Sequence, residues 1–463
     1  MKEIAMKFNR KRILTLCMIS ALGITESAHG DKRKSSSHCD QAKKSTIARP
    51  RISQKNSWFL DDCGRVMIFH GLNIMNKKAP WYLEEFYCPN GKGGILGEDW
   101  AQFWVENGFN MARVGIMWAG VEPSPGIYDD NYILKIRDMV RMFAKYGIFC
   151  TIDWHQDQWT EAFGGNSLPA WTANNYNGSV LVPNVCDPNP DVPNCLFAHG
   201  YFANPGLQQI YDNFWNNVPS KIVNFPVGDT VGVKTRFLNM VAHTIPFFKD
   251  EPFILAYETL NELNPTKQYL TCANIQPSDY FFYPMPAAPS NSIIRGACTR
   301  PTPPFPPSGC QTFDLTIYAQ FKKDFTATIR SIDQDRIIFE GLPVMEIGAT
   351  LPIISPPTDL NVAILNNAYF IDSLFGAPYF YVNYLTDLVQ AFAAKYGIGY
   401  FVKEMGAGLQ GSLPTTMRIL DQKKISWAYW NFLQGRSAVT FDSTALREAT
   451  ENMEQTNDTK DNE

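Results

Sequence analysis

The sequence predicts an α/β protein folded as a (β/α)8 TIM barrel with long insertions after strands three and four. Eight short apolar runs alternate with helix-period segments between about residues 66 and 432 of the 463-residue chain. Such alternation produces parallel βαβ units, and eight of them close into a barrel whose catalytic face lies at the carboxyl ends of the strands. A doubly wound open sheet is the alternative, and the lack of a Gly-rich strand-to-helix turn disfavours it.

The predicted strands are short apolar runs bounded by turn-forming residues. In chain order they are Val66–Leu72, Asn110–Ile116, Ile148–Trp154, Phe253–Leu260, Arg336–Phe339, Val362–Leu365, Gly399–Val402 and Ser426–Trp430. Apolar residues at helical spacing predict the helices that connect them. The clearest of these are Tyr132–Tyr146, Thr235–Phe248, Leu315–Ser331, Tyr384–Tyr396 and Thr415–Lys423.

Two connections exceed ordinary loop lengths. They cover about residues 160–230, after the third strand, and about residues 266–310, after the fourth. The second contains nine prolines between Pro277 and Pro307, together with the aromatic run at 280–283. Because both insertions follow strand ends, we expect them to overhang the catalytic face, and we expect the second to form a stiff apolar roof.

The two ends of the chain differ from the predicted barrel, residues 56–432. Basic residues precede an apolar run at 13–24, and Ala28 and Gly30 follow it, so residues 1–30 are predicted to be a secretory signal peptide. A buried N-terminal helix is the alternative. Residues 31–55 are predicted to be a flexible polar leader, and residues 433–463 a polar acidic tail that is disordered. The expected destination is extracellular, or the lysosomal or endosomal lumen.

Cysteine use agrees with an oxidising compartment. Nine cysteines follow the predicted signal peptide, and Cys150 lies in an apolar strand, where a buried free thiol is expected. The other eight allow up to four disulfides, and Cys186 with Cys195 is the first pairing that we predict. The sequons at Asn177 and Asn457 permit N-glycans.

The charge balance excludes nucleic acid as a partner, because the formal net charge is −4 and no basic field is present. After the signal peptide no run of about 20 apolar residues occurs, so no transmembrane segment is expected in the mature chain. The chain has six histidines and no CxxC pair, so neither a metal site nor a cofactor is predicted.

Two glutamates follow apolar strands at positions that a barrel brings together. Asn261–Glu262 follows the fourth strand, and Glu404 follows the seventh. Two carboxyl groups about 5–5.5 Å apart suit retaining glycoside hydrolysis, in which one is a protonated acid and the other an ionised nucleophile. For each glutamate alone, a helix cap or a loop salt bridge is the alternative.

Other strand ends add polar and aromatic groups. Arg113 lies in the second strand, where a cation would keep a nucleophile ionised; an ordinary buried ion pair is the alternative. The segment 153–157, which includes His155 and Asp157, suits hydroxyl recognition. The last strand ends with aromatic residues that are candidates for stacking on a sugar ring, with plain core packing as the alternative: Trp427, Tyr429 and Trp430.

The site positions and four sequence stretches together resemble glycoside hydrolase family 5, and within it the endoglycoceramidases. The stretches are Phe69–Asn73, Gly108–Trp118 with Gly120–Pro123, Asp153–Asp157, and Phe321–Ile338. The resemblance covers about residues 56–432. It implies a retaining (β/α)8 enzyme that cleaves between the oligosaccharide and the ceramide of glycosphingolipids.

The resemblance also implies roles for individual residues. Glu262 would be the acid/base and Glu404 the nucleophile. The first glucose would be held by His155, Asp157 and Asn261, over a floor formed by Trp430. Lys77 falls where the subgroup uses a lysine, with Lys78 as the alternative alignment. Peripheral contact with lipid surfaces or micelles, and an activator protein, are the partners that such a substrate implies.

The sequence departs from the family pattern in three places. The His-x-Tyr of strand six is replaced by Asn367–Ala368–Tyr369, which makes Tyr369 the candidate tyrosine and removes the histidine. The usual Asn-Glu-Pro is Asn261–Glu262–Leu263. The C-terminal β-sandwich that usually follows the barrel is expected to be absent.

Several other functions remain open at this stage. Within enzymes they are an endo-galactosylceramidase, a steryl- or glucosylceramide glucosidase, and a cellulase-like endoglucanase. From another class, the protein would be a catalytically weakened glycolipid-binding relative, an interpretation favoured by the missing histidine and opposed by the presence of both glutamates.

Overall fold

The computed structural model describes the part of the chain that contains the predicted barrel. The described residues are 49–53, 55–82, 86–87, 93–94, 98–173, 201, 205–220, 230–264, 313–342, 355–368, 380–406 and 413–434. Among them no helix is both long and apolar enough to cross a membrane.

Eight parallel strands close into a barrel, as the sequence predicts. They are β1 (His70–Met75), β2 (Met111–Met117), β3 (Phe149–His155), β4 (Ile254–Glu258), β5 (Ile337–Gly341), β6 (Val362–Ala368), β7 (Gly399–Gly406) and β8 (Ser426–Gln434). Each strand pairs with the next one in the chain, and β8 pairs with β1 to complete the closure. All eight carboxyl ends therefore lie at one end of the barrel, where function is expected.

The helices lie between the strands as predicted, with shifts at their ends. They are α1 (Glu98–Glu106), α2 (Trp118–Val121), α3 (Asp130–Lys145), α4 (Pro205–Trp215), α5 (Val233–Thr244), α6 (Ala319–Arg330), α7 (Phe380–Tyr396) and α8 (Leu413–Gln422). α3 begins where the Asp129 carboxylate accepts the Tyr132 amide N–H, which is the N-cap arrangement. Its apolar face, which includes Ile133, Ile136 and Val140, is buried at helical spacing.

The first predicted strand, Val66–Leu72, is wrong as one element. Val66–Met67 pairs antiparallel with Phe59–Leu60 in a small sheet, and β1 starts only at His70. Between the two strands the carbonyl of Phe69 accepts the Trp427 amide N–H, so the chain changes pairing partners there. Both segments are apolar, so the hydrophobic pattern does not show where one strand ends and the next begins, and the sequence predicts a single strand.

The small sheet also includes Arg51–Ile52, in residues that the sequence assigned to the leader. Its Ile52 and Phe59 join a buried cluster with Phe69 and Phe149. Phe69 has its ring centroid 5.4 Å from that of Phe59 and 5.4 Å from that of Phe149. Phe69 immediately precedes β1, so this apolar cluster fills the amino-terminal end of the barrel and leaves the opposite end to polar residues.

The described residues cover only some of the remaining predictions about cysteines, insertions and chain ends. Cys150 is a buried free thiol, as predicted, and Cys63 is disulfide-bonded. The proposed pair Cys186–Cys195 lies outside the described residues. The insertion at 266–310, the predicted signal peptide and the predicted tail beyond residue 434 also lie outside the described residues, whereas the insertion at 160–230 contains α4. Residues 433–434, which the sequence assigned to the tail, belong to β8.

We predict that Phe69→Ala lowers the free energy of unfolding by about 3–5 kcal/mol, because the ring is fully buried and its removal leaves a cavity. Leu360→Ala is the control, since Leu360 is 64% exposed and its truncation should change the free energy by less than about 0.5 kcal/mol. Urea unfolding followed by tryptophan fluorescence measures both. If the two variants lowered the free energy of unfolding equally, the result would contradict the role of the Phe69 cluster in stabilising the amino-terminal end of the barrel.

Candidate active site

A buried guanidinium lies at the centre of the polar end of the barrel. Arg113, on β2, has no solvent exposure. Its Nη1 donates to Glu404 Oε1 at 2.7 Å, its Nε donates to Glu258 Oε2 at 2.9 Å, and its Nη2 lies 3.0 Å from Asp153 Oδ2. Burial alone would lower the pKa of Arg113, but these three carboxylates outweigh it and raise the pKa. Arg113 therefore stays charged and links β2 to β3, β4 and β7.

The two glutamates singled out from the sequence are joined by one amide. Asn367, on β6, donates from Nδ2 to Glu262 Oε1 at 2.6 Å and to Glu404 Oε2 at 3.2 Å. One oxygen of each carboxyl group therefore lies within hydrogen-bond distance of the same amide nitrogen, so the two glutamates are neighbours at the carboxyl end of the barrel. The sequence predicted that the two glutamates meet; it did not predict that Asn367 connects them.

Glu262 lies in a turn that other side chains hold in place. Its φ of 46° is in the left-handed region, which is uncommon for a glutamate. The Gln156 side-chain amide donates to the carbonyls of Asn261 and Glu262, at 2.6 and 2.8 Å. The Tyr201 hydroxyl donates to Glu262 Oε2 at 3.0 Å. Hydrogen bonds to the backbone carbonyls and to the Glu262 side chain therefore stabilise this turn. Such contacts offset the cost of an unfavourable backbone conformation.

The carboxyl of Glu262 is surrounded by groups that favour its protonated form. Burial, and then the charges of Glu404 and Asp157, raise the pKa of Glu262 to about 7, against the opposing effects of Lys403 and Tyr201. Burial and Asp153 likewise raise the pKa of Glu258 to about 7, although Arg113 opposes them. Glu262 differs from Glu258 in being bound by neutral donors, the hydroxyl of Tyr201 and the amide of Asn367.

A second group of side chains forms one wall of the site. His155 stacks on Trp430, with centroids 5.4 Å apart and planes 18° from parallel. Lys77 Nζ lies 4.3 Å from the centroid of the Trp430 ring and forms an ion pair with Asp157. His155 also contacts two carboxylates, with Nδ1 2.8 Å from Asp153 Oδ2 and Nε2 3.3 Å from Asp157 Oδ2.

The charges on this wall stabilise one another. Burial would raise the pKa of Asp157, but Lys77 and His155 lower it well below its usual range. Burial would lower the pKa of His155, but Asp157 and Asp153 raise it. The wall is thus an ionised carboxylate, an ammonium and an imidazole behind an aromatic face.

Most of the predicted site residues come together here. Glu262, Glu404, Arg113 and Asn261 share one hydrogen-bond network, and Lys77, His155, Asp157 and Trp430 share the adjoining wall. Tyr369 lies outside the described residues. Trp427 belongs to the core instead: it is fully buried and its Nε1 donates to Asp421 Oδ1 at 3.1 Å.

Sequence reasoning did not select several residues that complete the network: Asn73, Glu258, Tyr201, Lys403 and the Asn367 contact. Asn73 accepts from Arg113 Nη1 at 2.8 Å, and Glu258 accepts from Arg113 and from the Thr151 hydroxyl. A polar residue within an otherwise apolar strand is the signal that was available for Asn73 and Glu258. Within the described residues, no group of three or more His, Cys, Asp or Glu side chains is arranged to hold a metal ion.

Comparison with known proteins gives one family match and several relatives. Residues 80–191 match the model of the cellulase family, glycosyl hydrolase family 5. Endoglycoceramidase I of Rhodococcus hoagii is 23% identical over 400 residues, which cover 82% of this chain and 68% of that protein. The endoglycoceramidase of Hydra vulgaris is 27% identical over 222 residues, which cover 46% of this chain and only 40% of that protein.

Solved structures of similar proteins show the same fold. The lactosyl-enzyme intermediate of endo-glycoceramidase II from Rhodococcus sp. superposes with a TM-score of 0.58 at 20% identity, covering 86% of this chain and 80% of that one. An endogalactoceramidase superposes with a TM-score of 0.58 at 17% identity, covering 87% and 78%. Part of the chain is thus similar to glycosyl hydrolase family 5, and most of its length is similar to a protein named endoglycoceramidase, while the solved structures show that the barrel fold is shared.

Proposed function

We propose that this protein is a retaining glycoside hydrolase that cleaves the β-glycosidic bond between the oligosaccharide and the ceramide of glycosphingolipids. The observation that carries the proposal is the bridge of Asn367 between Glu262 and Glu404, because it holds two carboxyl groups at a spacing suited to the double-displacement reaction. The sequence relatives named endoglycoceramidase support the choice of substrate.

In the first step, Glu404 would attack the anomeric carbon of the sugar that is joined to ceramide. Its Oε1 forms an ion pair with Arg113 at 2.7 Å, and its Oε2 accepts the longer hydrogen bond from Asn367 at 3.2 Å. The bond from the anomeric carbon to the ceramide oxygen breaks as the new ester bond forms. Glu262 donates its proton to the departing oxygen, so ceramide leaves as a neutral alcohol.

In the second step, water would attack the anomeric carbon of the glycosyl ester. Once Glu404 is esterified it carries no charge, and one of the groups that raise the pKa of Glu262 is lost. Glu262 then accepts a proton from the attacking water, and Glu404 leaves as a carboxylate. The same carboxyl therefore serves as acid and then as base because its neighbour changes charge.

The adjoining wall suits the first sugar. Trp430 contributes an aromatic ring that stacks on His155, and the Lys77 ammonium, paired with Asp157, lies over that ring as a candidate ligand of sugar hydroxyls. Asn261, next to Glu262, is the proposed ligand of the 2-hydroxyl. The apolar insertion at 266–310 is the proposed roof over ceramide; this rests on its sequence, since it lies outside the described residues.

Delivery to the outside of the cell, or to the lysosomal or endosomal lumen, is part of the proposal and rests on the signal-peptide pattern alone. Peripheral contact with lipid surfaces or micelles, and assistance by an activator protein, follow from a substrate whose ceramide is embedded in a membrane.

We expect the purified protein to release intact oligosaccharide and free ceramide from a ganglioside in mild detergent, detected by mass spectrometry. Glu404→Gln should reduce the rate more than about 10⁴-fold, because the nucleophile is lost. Glu106→Gln on α1, an exposed glutamate, is the control and should retain the wild-type rate.

Three other results would redirect the assignment. Release only from glucosylceramide would indicate a glucosidase-type relative, and release only from galactosylceramide an endo-galactosylceramidase. Release from none of the lipids, with lipid still bound, would indicate the weakened glycolipid-binding relative and overturn the proposal.

We expect the two glutamates to respond differently to the leaving group. Glu262→Gln should slow ganglioside cleavage by about 10²–10⁴-fold, because the departing alkoxide is no longer protonated. With an aryl lactoside, whose phenol leaves without acid assistance, the first step should regain most of the wild-type rate, seen as a burst of phenol. Glu404→Gln should give no burst with either substrate, and a burst in that variant would contradict its role as nucleophile.

We expect the pH profile of kcat/KM to fall on its basic side near pH 7, where Glu262 loses its proton. The pKa of this buried carboxyl is raised to about 7, so the acid form is present below that pH and lost above it. With ganglioside as the substrate, Glu262→Gln should remove this basic fall from the residual activity, because no proton remains to be lost. A basic fall that persists unchanged in Glu262→Gln would contradict the assignment.

A further inference from the structure

Lys403 precedes Glu404 on β7, and its side chain lies inside the barrel because the register of β7 shifts at this position. On the side of β6, Asn366 pairs with Val402 whereas Asn367 pairs with Glu404, so one residue of β7 is passed over. On the side of β8, Val402 pairs with Trp427 and the register also shifts before the next pair. Adjacent side chains in a regular strand point to opposite faces, and a bulge removes that alternation.

The bulge is held by hydrogen bonds to its own backbone. Asn73 on β1 donates from Nδ2 to the Lys403 carbonyl at 3.0 Å and to the Tyr429 carbonyl at 3.0 Å. Asn73 is itself bound by Arg113. The same network that binds Glu404 therefore also fixes the backbone that turns Lys403 inward.

Inside the barrel, the Lys403 ammonium donates to Asn261 Oδ1 and is only 3% exposed. Asn261 Oδ1 accepts a second hydrogen bond from Arg113 Nη2 at 3.0 Å, and Asn261 Nδ2 donates to the Gln156 carbonyl at 3.1 Å. Two cations on its oxygen fix the amide in one orientation, because an amide nitrogen could not accept from either of them. Asn261 is the residue that immediately precedes Glu262.

Lys403 is also the inner cation that acts on Glu262. Arg113 contacts Glu404, Glu258 and Asp153, and no salt bridge joins it to Glu262 among the described residues. The Lys403 charge favours the ionised forms of Glu262, Glu258 and Asp153. Without the Lys403 charge, Arg113 would be the central cation for the carboxyl groups of Glu258 and Asp153, and Glu262 would lose the positive charge that favours its ionised form.

We propose that Lys403 is a positioning residue for the reaction proposed above, on which this inference rests. It orients the Asn261 amide toward the sugar and supplies the positive charge that acts on the acid/base from the interior of the barrel. Neither role follows from the family resemblance, which assigns nothing to this position.

The two roles have separate consequences. Glu262 faces Glu404 and Lys403 from β7, Asp157 from the end of β3, Asn367 from β6, and Tyr201 and Tyr211 from the residues at and near α4.

Lys403→Met removes the positive charge from this set, so the basic fall of the pH profile should move upward by about one pH unit. Misplacement of Asn261 should lower kcat about 10- to 100-fold with little change in KM, because its contact to the 2-hydroxyl strengthens in the transition state.

Lys322→Met is the matched control. Lys322 is equally buried at 3% exposure, and its Nζ binds Glu340 Oε2 at 2.7 Å between α6 and β5. Its loss should also destabilise the fold, because it removes a buried ammonium from the Glu340 carboxylate. It should leave the pH profile in place. Lys403→Arg keeps the charge and should keep the basic fall at its wild-type pH.

A titration that does not depend on turnover separates this inference from the proposed function. With the glutamate side-chain carboxyls labelled with ¹³C, the signal absent from Glu262→Gln identifies Glu262. Its titration should move to higher pH in Lys403→Met and stay in place in Lys322→Met and Lys403→Arg. If Lys403→Met does not fold, Lys403→Gln serves as the neutral variant.

An unmoved titration of Glu262 in the folded neutral variant would overturn the role of Lys403. A wild-type protein that cleaves no glycolipid would overturn the proposed function, while the titration would still decide whether Lys403 acts on Glu262.

Discussion

The single guanidinium of Arg113 is the interaction on which the polar end of this barrel depends. Three carboxylates from three strands meet at a side chain with no solvent exposure. Burying one such charge without a partner costs several kcal/mol, so none of these carboxylates would persist there without the cation. A lysine would not substitute, because only a planar fork reaches Glu404, Glu258 and Asp153 in three directions at once.

The apolar end of the barrel makes this concentration of charge tolerable. Phe69 and its neighbours seal the amino ends of the strands, so the polar groups are confined to one layer at the carboxyl ends. Within that layer the proposed catalytic groups are held by other side chains: Gln156 binds the turn that carries Glu262, and Asn73 binds the bulge that carries Lys403. A site supported in this way keeps its geometry without relying on loops.

The sequence was sufficient for the fold, and for predicting that Glu262 and Glu404 lie near one another, because both follow from local pattern. Apolar runs locate the strands, and the residue that follows each run lies at the functional face, as Glu262 and Glu404 show. It failed where the cause is a long-range contact. The change of partner at Phe69 depends on β8, and the inward turn of Lys403 depends on a register shift that no periodicity records. The role of Asn367 depends on β4 and β7 together, so its departure from the family histidine looked like a loss when read alone.

The charges of the site identify which carboxyl keeps a proton. Arg113, Lys403, Lys77 and a protonated His155, whose nitrogens both face carboxylates, face Asp153, Asp157, Glu258, Glu404 and Glu262. One carboxyl is in excess, and Glu262 is the one whose hydrogen bonds come from a hydroxyl and an amide rather than from a cation.

Burial and the charges of Glu404 and Asp157 therefore favour a neutral Glu262, and the hydrogen bond from Tyr201 opposes them only in part. In the proposed reaction, a neutral sugar would enter this site without changing its charge balance. Positive charge would develop on the sugar ring only in the transition state, opposite the Glu404 carboxylate that pairs with Arg113.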